Sequence, residues 1–392
     1  MTPLHTPQIP VVVLAGFLGS GKTTLLNHLL RNRAGNRIGV VVNDFGAIEI
    51  DAMTVAGQVG STVSLGNGCL CCAVDASELD DYLATLTRPA ARLDVIVIEA
   101  SGLAEPRELV RMLLASDNPR VRYGGLVEVV DAAEFLGTRE RHPEIDRHLA
   151  VADLVVLNKA DRVSGAALDG VREAVAATGG GAAVVSAVHG RIDPGLLFDP
   201  VLRPEEDDTV RQLTFEDLLR DEDGDADHDA DGDTDLGADG HAHAGHAHTA
   251  YESVSFTSDA PMDPRRLMAF LDSRPPGLYR IKGFTDFGAG DPDHTYVLHA
   301  VGGFLRFEPR PWARDEARRT QLVLIGSGID TDALHRELAA CRVPLGPAHA
   351  GPAGTRVRPD LPDVPQARRD ADDALERAMW GVLRHVRRPD ED

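Results

Sequence analysis

The nine residues Gly16-Phe17-Leu18-Gly19-Ser20-Gly21-Lys22-Thr23-Thr24 limit what this chain can fold into more than any other stretch. They spell G-x-x-x-x-G-K-T between an apolar run, Ile9–Leu14, and a helical pattern opening at Thr24. Glycines there let successive backbone N–H groups wrap a phosphate, and the start of the helix adds its positive end. In such a loop the lysine reaches the β- and γ-phosphates and the threonine hydroxyl ligates Mg²⁺. Gly16, Gly19, Ser20, Gly21, Lys22, Thr23 and Thr24 are therefore the expected phosphate-binding set, with Lys22 and Thr23 in catalytic roles.

Beyond the loop the chain keeps to the same architecture. The runs Ile38–Val42, Asp94–Ile98, Gly125–Val130, Leu154–Leu157 and Ala182–Ser186 alternate with helical patterns such as Ala167–Ala177. They are largely apolar rather than alternating, as parallel strands covered on both faces are. The expected fold class is α/β, a doubly wound, mostly parallel P-loop GTPase domain over residues 1–204, with a second, smaller α+β domain. Asp94-Val-Ile-Val-Ile-Glu99 ends in a carboxylate suited to hold a Mg²⁺-bound water, and Ser101-Gly102 follows where a γ-phosphate can be sensed. Asn158-Lys159-Ala160-Asp161 closes the strand Leu154–Leu157. A carboxylate at Asp161 accepts N1–H and the 2-amino group of guanine, while adenine would leave it unpaired, so the nucleotide is GTP or GDP. Asn158 and the Lys159 stem would brace the base, and Ser186 and Ala187 join the nucleotide-contacting set.

Residues 205–250 break the pattern. Ten of the nineteen positions from Asp221 to Asp239 are acidic, too many for the segment to bury an ordering core. It reads as a disordered insert ending in His241, His243, His246 and His248, which could gather divalent ions weakly. Much of the net charge of −22 sits here, and that balance argues against a nucleic-acid partner. Order resumes at Tyr251. A small α+β domain is expected over 251–345, with strands at Tyr251–Thr257, Thr295–Phe307 and Gln321–Ile325 and helices at Pro264–Asp272 and Thr331–Cys341. A Pro/Gly-rich linker and a C-terminal amphipathic helix fill 346–392, with Leu375, Met379, Val382, Leu383 and Val386 on one face. No leader pattern and no run of 18 apolar residues is present, so no membrane partner and a cytoplasmic location are expected.

Three of the four cysteines fall within Cys69-Leu70-Cys71-Cys72, too close together to be a disulfide framework. In extended backbone Cys69 and Cys71 share a side, and Cys72 after a turn could close on an ion. Thiolates favour Zn²⁺ or Cu(I) over Mg²⁺, and three protein ligands leave a fourth position open for a transferable ion. Buried inert cysteines, or a closed structural site completed by a remote residue, also fit the pattern. Cys341 reads as a core cysteine of the second domain.

Taken in order, Gly16–Thr24, Asn43-Asp-Phe-Gly46, Gly68-Cys-Leu-Cys-Cys72, Glu99-Ala-Ser-Gly-Leu-Ala-Glu-Pro106, Asn158–Asp161 and Arg280-Ile-Lys-Gly-Phe284 resemble the CobW-type family of P-loop GTPases. That family comprises the zinc-regulated GTPase metalloprotein activators. The resemblance spans about Ile9 to Cys341. It implies a GTP-hydrolysing metallochaperone that binds zinc at Cys69, Cys71 and Cys72 and passes it to a client metalloprotein, with GTP/GDP, Mg²⁺ and Zn²⁺ as its bound species. A homodimer is one assembly open to such a chain. Two alternatives stand beside this: delivery of cobalt or iron, for corrinoid synthesis or nitrile hydratase activation, and a zinc-sensing, GTP-dependent regulatory switch. One departure concerns the first switch segment. The family has Asn-Glu-Phe-Gly-Glu where this chain has Asn43-Asp44-Phe45-Gly46-Ala47. Asp44 keeps a carboxylate on a shorter arm, and with Glu99 it is a candidate for orienting the attacking water.

Overall fold

The computed structural model describes residues 8–42, 62–64, 76–102, 104–178, 180–199, 201, 251–343 and 377–386. Asp44, Cys69, Cys71, Cys72 and the histidines from 241 to 248 lie outside the described residues, as do residues 205–250 as a whole.

The first sheet has seven strands: β1 (Ile9–Ala15), β2 (Ile38–Val42), β3 (Thr62–Ser64), β4 (Val95–Glu99), β5 (Val121–Asp131), β6 (Leu154–Asn158) and β7 (Ala183–Ser186), in the order β3-β2-β4-β1-β5-β6-β7. β1 pairs in parallel with β4 and β5, and β2 does so with β3 and β4. In β1 every residue after Ile9 is buried, and β4 is buried throughout. Helices on both faces cause this, so Val, Ile and Leu occupy inward and outward positions alike. The helices are α1 (Lys22–Arg31), α2 (Ala76–Leu86), α3 (Pro106–Ala115), α4 (Phe135–Arg141), α5 (Ile145–Val151) and α6 (Gly165–Ala176). α1 buries Leu25, Leu26, Leu29 and Leu30 along one stripe. The six sequence runs all appear as strands, and β3 adds a seventh at the edge. Because neighbouring strands around β1 run parallel, the ends of β1, β4 and β5 share one edge of the sheet. That edge is where open α/β sheets bind ligands.

The second sheet is antiparallel, with β8 (Glu252–Ser258), β9 (Leu278–Thr285), β10 (His294–Val301), β11 (Phe304–Pro311) and β12 (Thr320–Gly326) in the order β11-β10-β9-β12-β8. Its strands show the alternation expected of a sheet with one covered face; β8 has Val254, Phe256 and Ser258 buried and Ser253, Ser255 and Thr257 turned outward. Helices α7 (Pro264–Asp272) and α8 (Thr331–Ala340) contribute Leu267, Leu271, Leu334 and Leu338 to its core. Both begin on an aspartate cap: Asp263 accepts from the N–H groups of Arg265 and Arg266, and Asp330 from that of Ala333.

Three details differ from the sequence expectations. The stretch Thr295–Phe307 is a hairpin, β10 and β11, turned at Gly302-Gly303 with Gly302 at φ 50°. β9, which the sequence marks only by a short motif, is a full strand. Of the C-terminal helix, residues 377–383 are helical; Met379 and Val382 join the second core, whereas Leu383 is 41% exposed and does not share their buried face. Cys341 is buried in the same core, and burial pushes its thiol up to about 11, so it stays protonated and inert at neutral pH. Among the described residues no helix is long and apolar enough to cross a membrane.

Candidate functional site

The phosphate loop follows β1 and ends at α1, where Gly21 caps the helix at φ 102°. Gly16 (φ 144°) and Gly21 both hold positive φ and both have neighbours pressed against the missing side chain. A Cβ at Gly16 would lie 2.3 Å from the Val129 carbonyl oxygen, and one at Gly21 would lie 2.2 Å from Asn158 Nδ2. Only glycine meets both demands. The first turn of α1 carries no acidic residue, so the positive end of the helix is left for an anion.

Lys22 is buried, and its ammonium donates to the Gly16 carbonyl at 2.8 Å and the Phe17 carbonyl at 3.4 Å. Gly102 packs against the same group; a Cβ there would stand 3.2 Å from Lys22 Nζ and 2.9 Å from the Leu18 backbone. This puts the segment expected to sense a γ-phosphate beside the lysine expected to bind one. The Thr23 hydroxyl donates to Glu99 Oε1 at 2.7 Å, although 76 residues separate them in sequence. A hydroxyl and a buried carboxylate held together at the mouth of a phosphate loop are hard oxygen donors of the kind Mg²⁺ takes, so this pair fits the ion.

The guanine motif is tied to this loop. Asn158, at the end of β6, is buried; its Nδ2 donates to the Ser20 carbonyl at 2.9 Å, and its Oδ1 accepts from the Gly190 N–H at 2.8 Å. Lys159 takes left-handed backbone, φ 57°, and its ammonium donates to the Gly19 carbonyl at 2.8 Å and to Asp131 Oδ2 at 2.7 Å. The Ala160 N–H donates to the Ala187 carbonyl at 3.1 Å, bringing the segment after β7 against the motif. Asp161 is exposed, where a base edge can reach it. Gly16–Thr24, Glu99, Ser101-Gly102, Asn158–Asp161 and Ser186-Ala187 thus gather at strand ends.

Two residues at the end of β5 escape a reading of the sequence. Asp131 holds Lys159. Glu128 is 2% exposed, and its Oε2 has no hydrogen-bond partner among the described residues. It lines a cavity of about 370 Å³ with Phe17, Val130, Phe135 and Ile145. Burial pushes its carboxyl from 4.5 up to about 8; the charge on Lys22 pulls it down, and Glu105 pushes it further up. Folded chain therefore holds a proton between pH 4.5 and 8 that unfolded chain releases, so stability falls as pH rises through that window. Glu128→Gln removes this linkage, so between pH 4.5 and pH 7 the variant is expected to gain about 3 kcal/mol on wild type. Urea unfolding from pH 4.5 to 8.5 checks it, and parallel profiles for the two proteins would contradict the assignment.

Comparison with known proteins adds to this geometry. Residues 10–186 match the family described as "CobW/HypB/UreG, nucleotide-binding domain", and residues 251–342 match "Cobalamin synthesis protein cobW C-terminal domain". A Sinorhizobium protein named zinc chaperone CobW is 30% identical over 359 residues, covering 81% of this chain and 93% of its own length. A Pseudomonas aeruginosa protein of the same name is 32% identical over 377 residues, covering 86% and 92%. Among solved structures, the Zn(II)-bound YjiA GTPase from Escherichia coli aligns over 86% of this chain and 99% of its own at 23% identity and a TM-score of 0.39.

Proposed function

Since the chain belongs to the CobW/HypB/UreG family and carries the CobW C-terminal domain, we propose that it is a GTP-driven zinc metallochaperone: it binds zinc through Cys69, Cys71 and Cys72 and hands it to a client metalloprotein. The family makes it a P-loop GTPase. The observation that carries the nucleotide half is the bracing of phosphate loop and guanine motif into one unit through Asn158 and Lys159.

Hydrolysis asks mainly for positioning and charge neutralisation. The loop amides and the end of α1 receive the phosphates, and Lys22 turns its ammonium to the β,γ-bridge region. Asp161 selects guanine while the Lys159 stem flanks it. Thr23 and Glu99 would hold Mg²⁺, whose charge offsets that of the phosphates when bound. Gly102 lies against Lys22, so a γ-phosphate there is felt by the segment leaving β4.

Zinc is cargo in this scheme. Zinc held as tightly as in structural sites, by about 10–16 kcal/mol, would not leave unaided, so delivery needs a state with a weaker grip. Cys69-Leu-Cys-Cys72 lies in the chain between β3 and α2, and β3 pairs with β2, which in turn pairs with the strand bearing Glu99. Support for zinc comes from the soft donor set and from the names of the relatives. Coupled sites of this kind exchange roughly 1–3 kcal/mol, so zinc is expected to bind about five- to 150-fold differently to the GTP-analogue and GDP forms. Zinc titration of both forms, with Cys71→Ser as control, tests this. Equal affinities, or binding unchanged by Cys71→Ser, would end the proposal.

A further inference from the structure

Asp131 ends β5 and belongs to no motif assigned above to GTP, yet both its carboxylate oxygens are committed. Oδ1 accepts from the Ala133 N–H at 3.0 Å, which fixes the side chain against its own turn. Oδ2 accepts from Lys159 Nζ at 2.7 Å, a charge-assisted bond within a pair whose side chains are 14% and 29% exposed. Lys159 is fixed at its other end too. Its left-handed backbone, unusual for a long side chain, is flanked by the Ala160 N–H bond to the Ala187 carbonyl and the Ala132 N–H bond to the Asn158 carbonyl. Its ammonium also meets the Gly19 carbonyl at 2.8 Å. The four-carbon stem is therefore stretched between the guanine motif and the phosphate loop, and among the described residues Asp131 supplies its anionic anchor.

Resting on the assignment of Asn158–Asp161 to guanine, we propose that Asp131 is a positioning residue for nucleotide binding: through Lys159 it holds an aliphatic wall against the purine ring. Two physical consequences separate it from a surface ion pair. The stem loses its rotational freedom during folding and not during binding, which is preorganisation. The carboxylate is also neutralised by the ammonium, so the phosphate loop does not face an unbalanced negative charge at the end of β5.

A wall of methylenes does not read the 2-amino group of guanine; Asp161 does. Asp131→Asn, which keeps the acceptor for Ala133 and removes the charge, is therefore expected to weaken GDP and IDP by the same factor, about tenfold. The ratio between them stays as in wild type. In a Lys159→Met background the Asp131→Asn change is expected to cost less than about twofold, because its route of action has gone. Equilibrium binding of GDP, IDP and ADP to wild type, both single variants and the double variant measures this, with urea unfolding of each to confirm folding. A full tenfold loss persisting in the Lys159→Met background would assign Asp131 a purely local structural role and overturn the proposal. So would Asp131→Asn binding GDP as wild type does, in which case a retained preference for GDP over ADP leaves the guanine assignment standing. Wild type binding ADP as tightly as GDP would overturn both.

Discussion

Lys22→Ala is expected to lower kcat for GTP hydrolysis by about a thousandfold. Removing a single preorganised donor from a site of developing charge costs roughly 10²–10³ in rate, and Lys22 carries a full charge where a neutral donor would carry a fraction. Its setting supports the upper end. The ammonium is buried and latched on the Gly16 and Phe17 carbonyls, so it sits at the loop without needing to be drawn in from solvent. The Glu128 carboxyl nearby is held neutral at pH 7 and does not compete with phosphate for it. Phosphate release at saturating GTP measures the effect. A variant within tenfold of wild type would mean that charge neutralisation comes from elsewhere.

The second large effect concerns base selection. Asp161→Asn is expected to weaken GTP by roughly two to four orders of magnitude, since two charge-assisted hydrogen bonds worth about 1.5–3 kcal/mol each are lost. The replacement amide pairs with a different base. Xanthine keeps N1–H but has a carbonyl where guanine has the 2-amino group, so the introduced amide would accept through its oxygen and donate through its nitrogen. Competition between GTP and XTP for the variant should therefore favour XTP. Because Asp161 is exposed, the change should leave the unfolding midpoint alone, which separates altered recognition from a damaged fold. A variant that still prefers GTP would remove Asp161 from the base site.

How much of this is legible in the sequence depends on the range of each signal. The phosphate loop and the guanine motif are legible because glycines, lysine and aspartate at fixed spacing meet demands that few other residues satisfy. The two-faced burial of β1 and β4 leaves continuous apolar runs, which mark the parallel sheet. β3 has three residues, too few for any period to show. β9 contains Arg280 and Lys282, whose charges interrupt the apolar count, although Leu278, Tyr279, Arg280 and Ile281 are all buried. The hairpin of β10 and β11 turns on two residues, so a single longer strand is read across it. Asp131 escapes for another reason: its partner lies 28 residues on, and only the adjacency of β5 and β6 brings the two together. Glu128 stands inside an apolar run with nothing local to show that it is sealed from water. Leu383 has the helical spacing of Met379 and Val382 but stays 41% exposed while they are buried, which periodicity alone does not reveal.

The amide of Asn158 joins the two halves of the proposed nucleotide site by bonds that run from protein to protein, to Ser20 on one side and Gly190 on the other. Neither bond borrows a group from the nucleotide. Departure of GDP therefore need not dismantle the cradle, and its successor need not rebuild it. The pace of exchange would then be set by how firmly the leaving molecule is gripped, and any helper protein that hastens turnover would have to pry at phosphate or base and not at the frame between them.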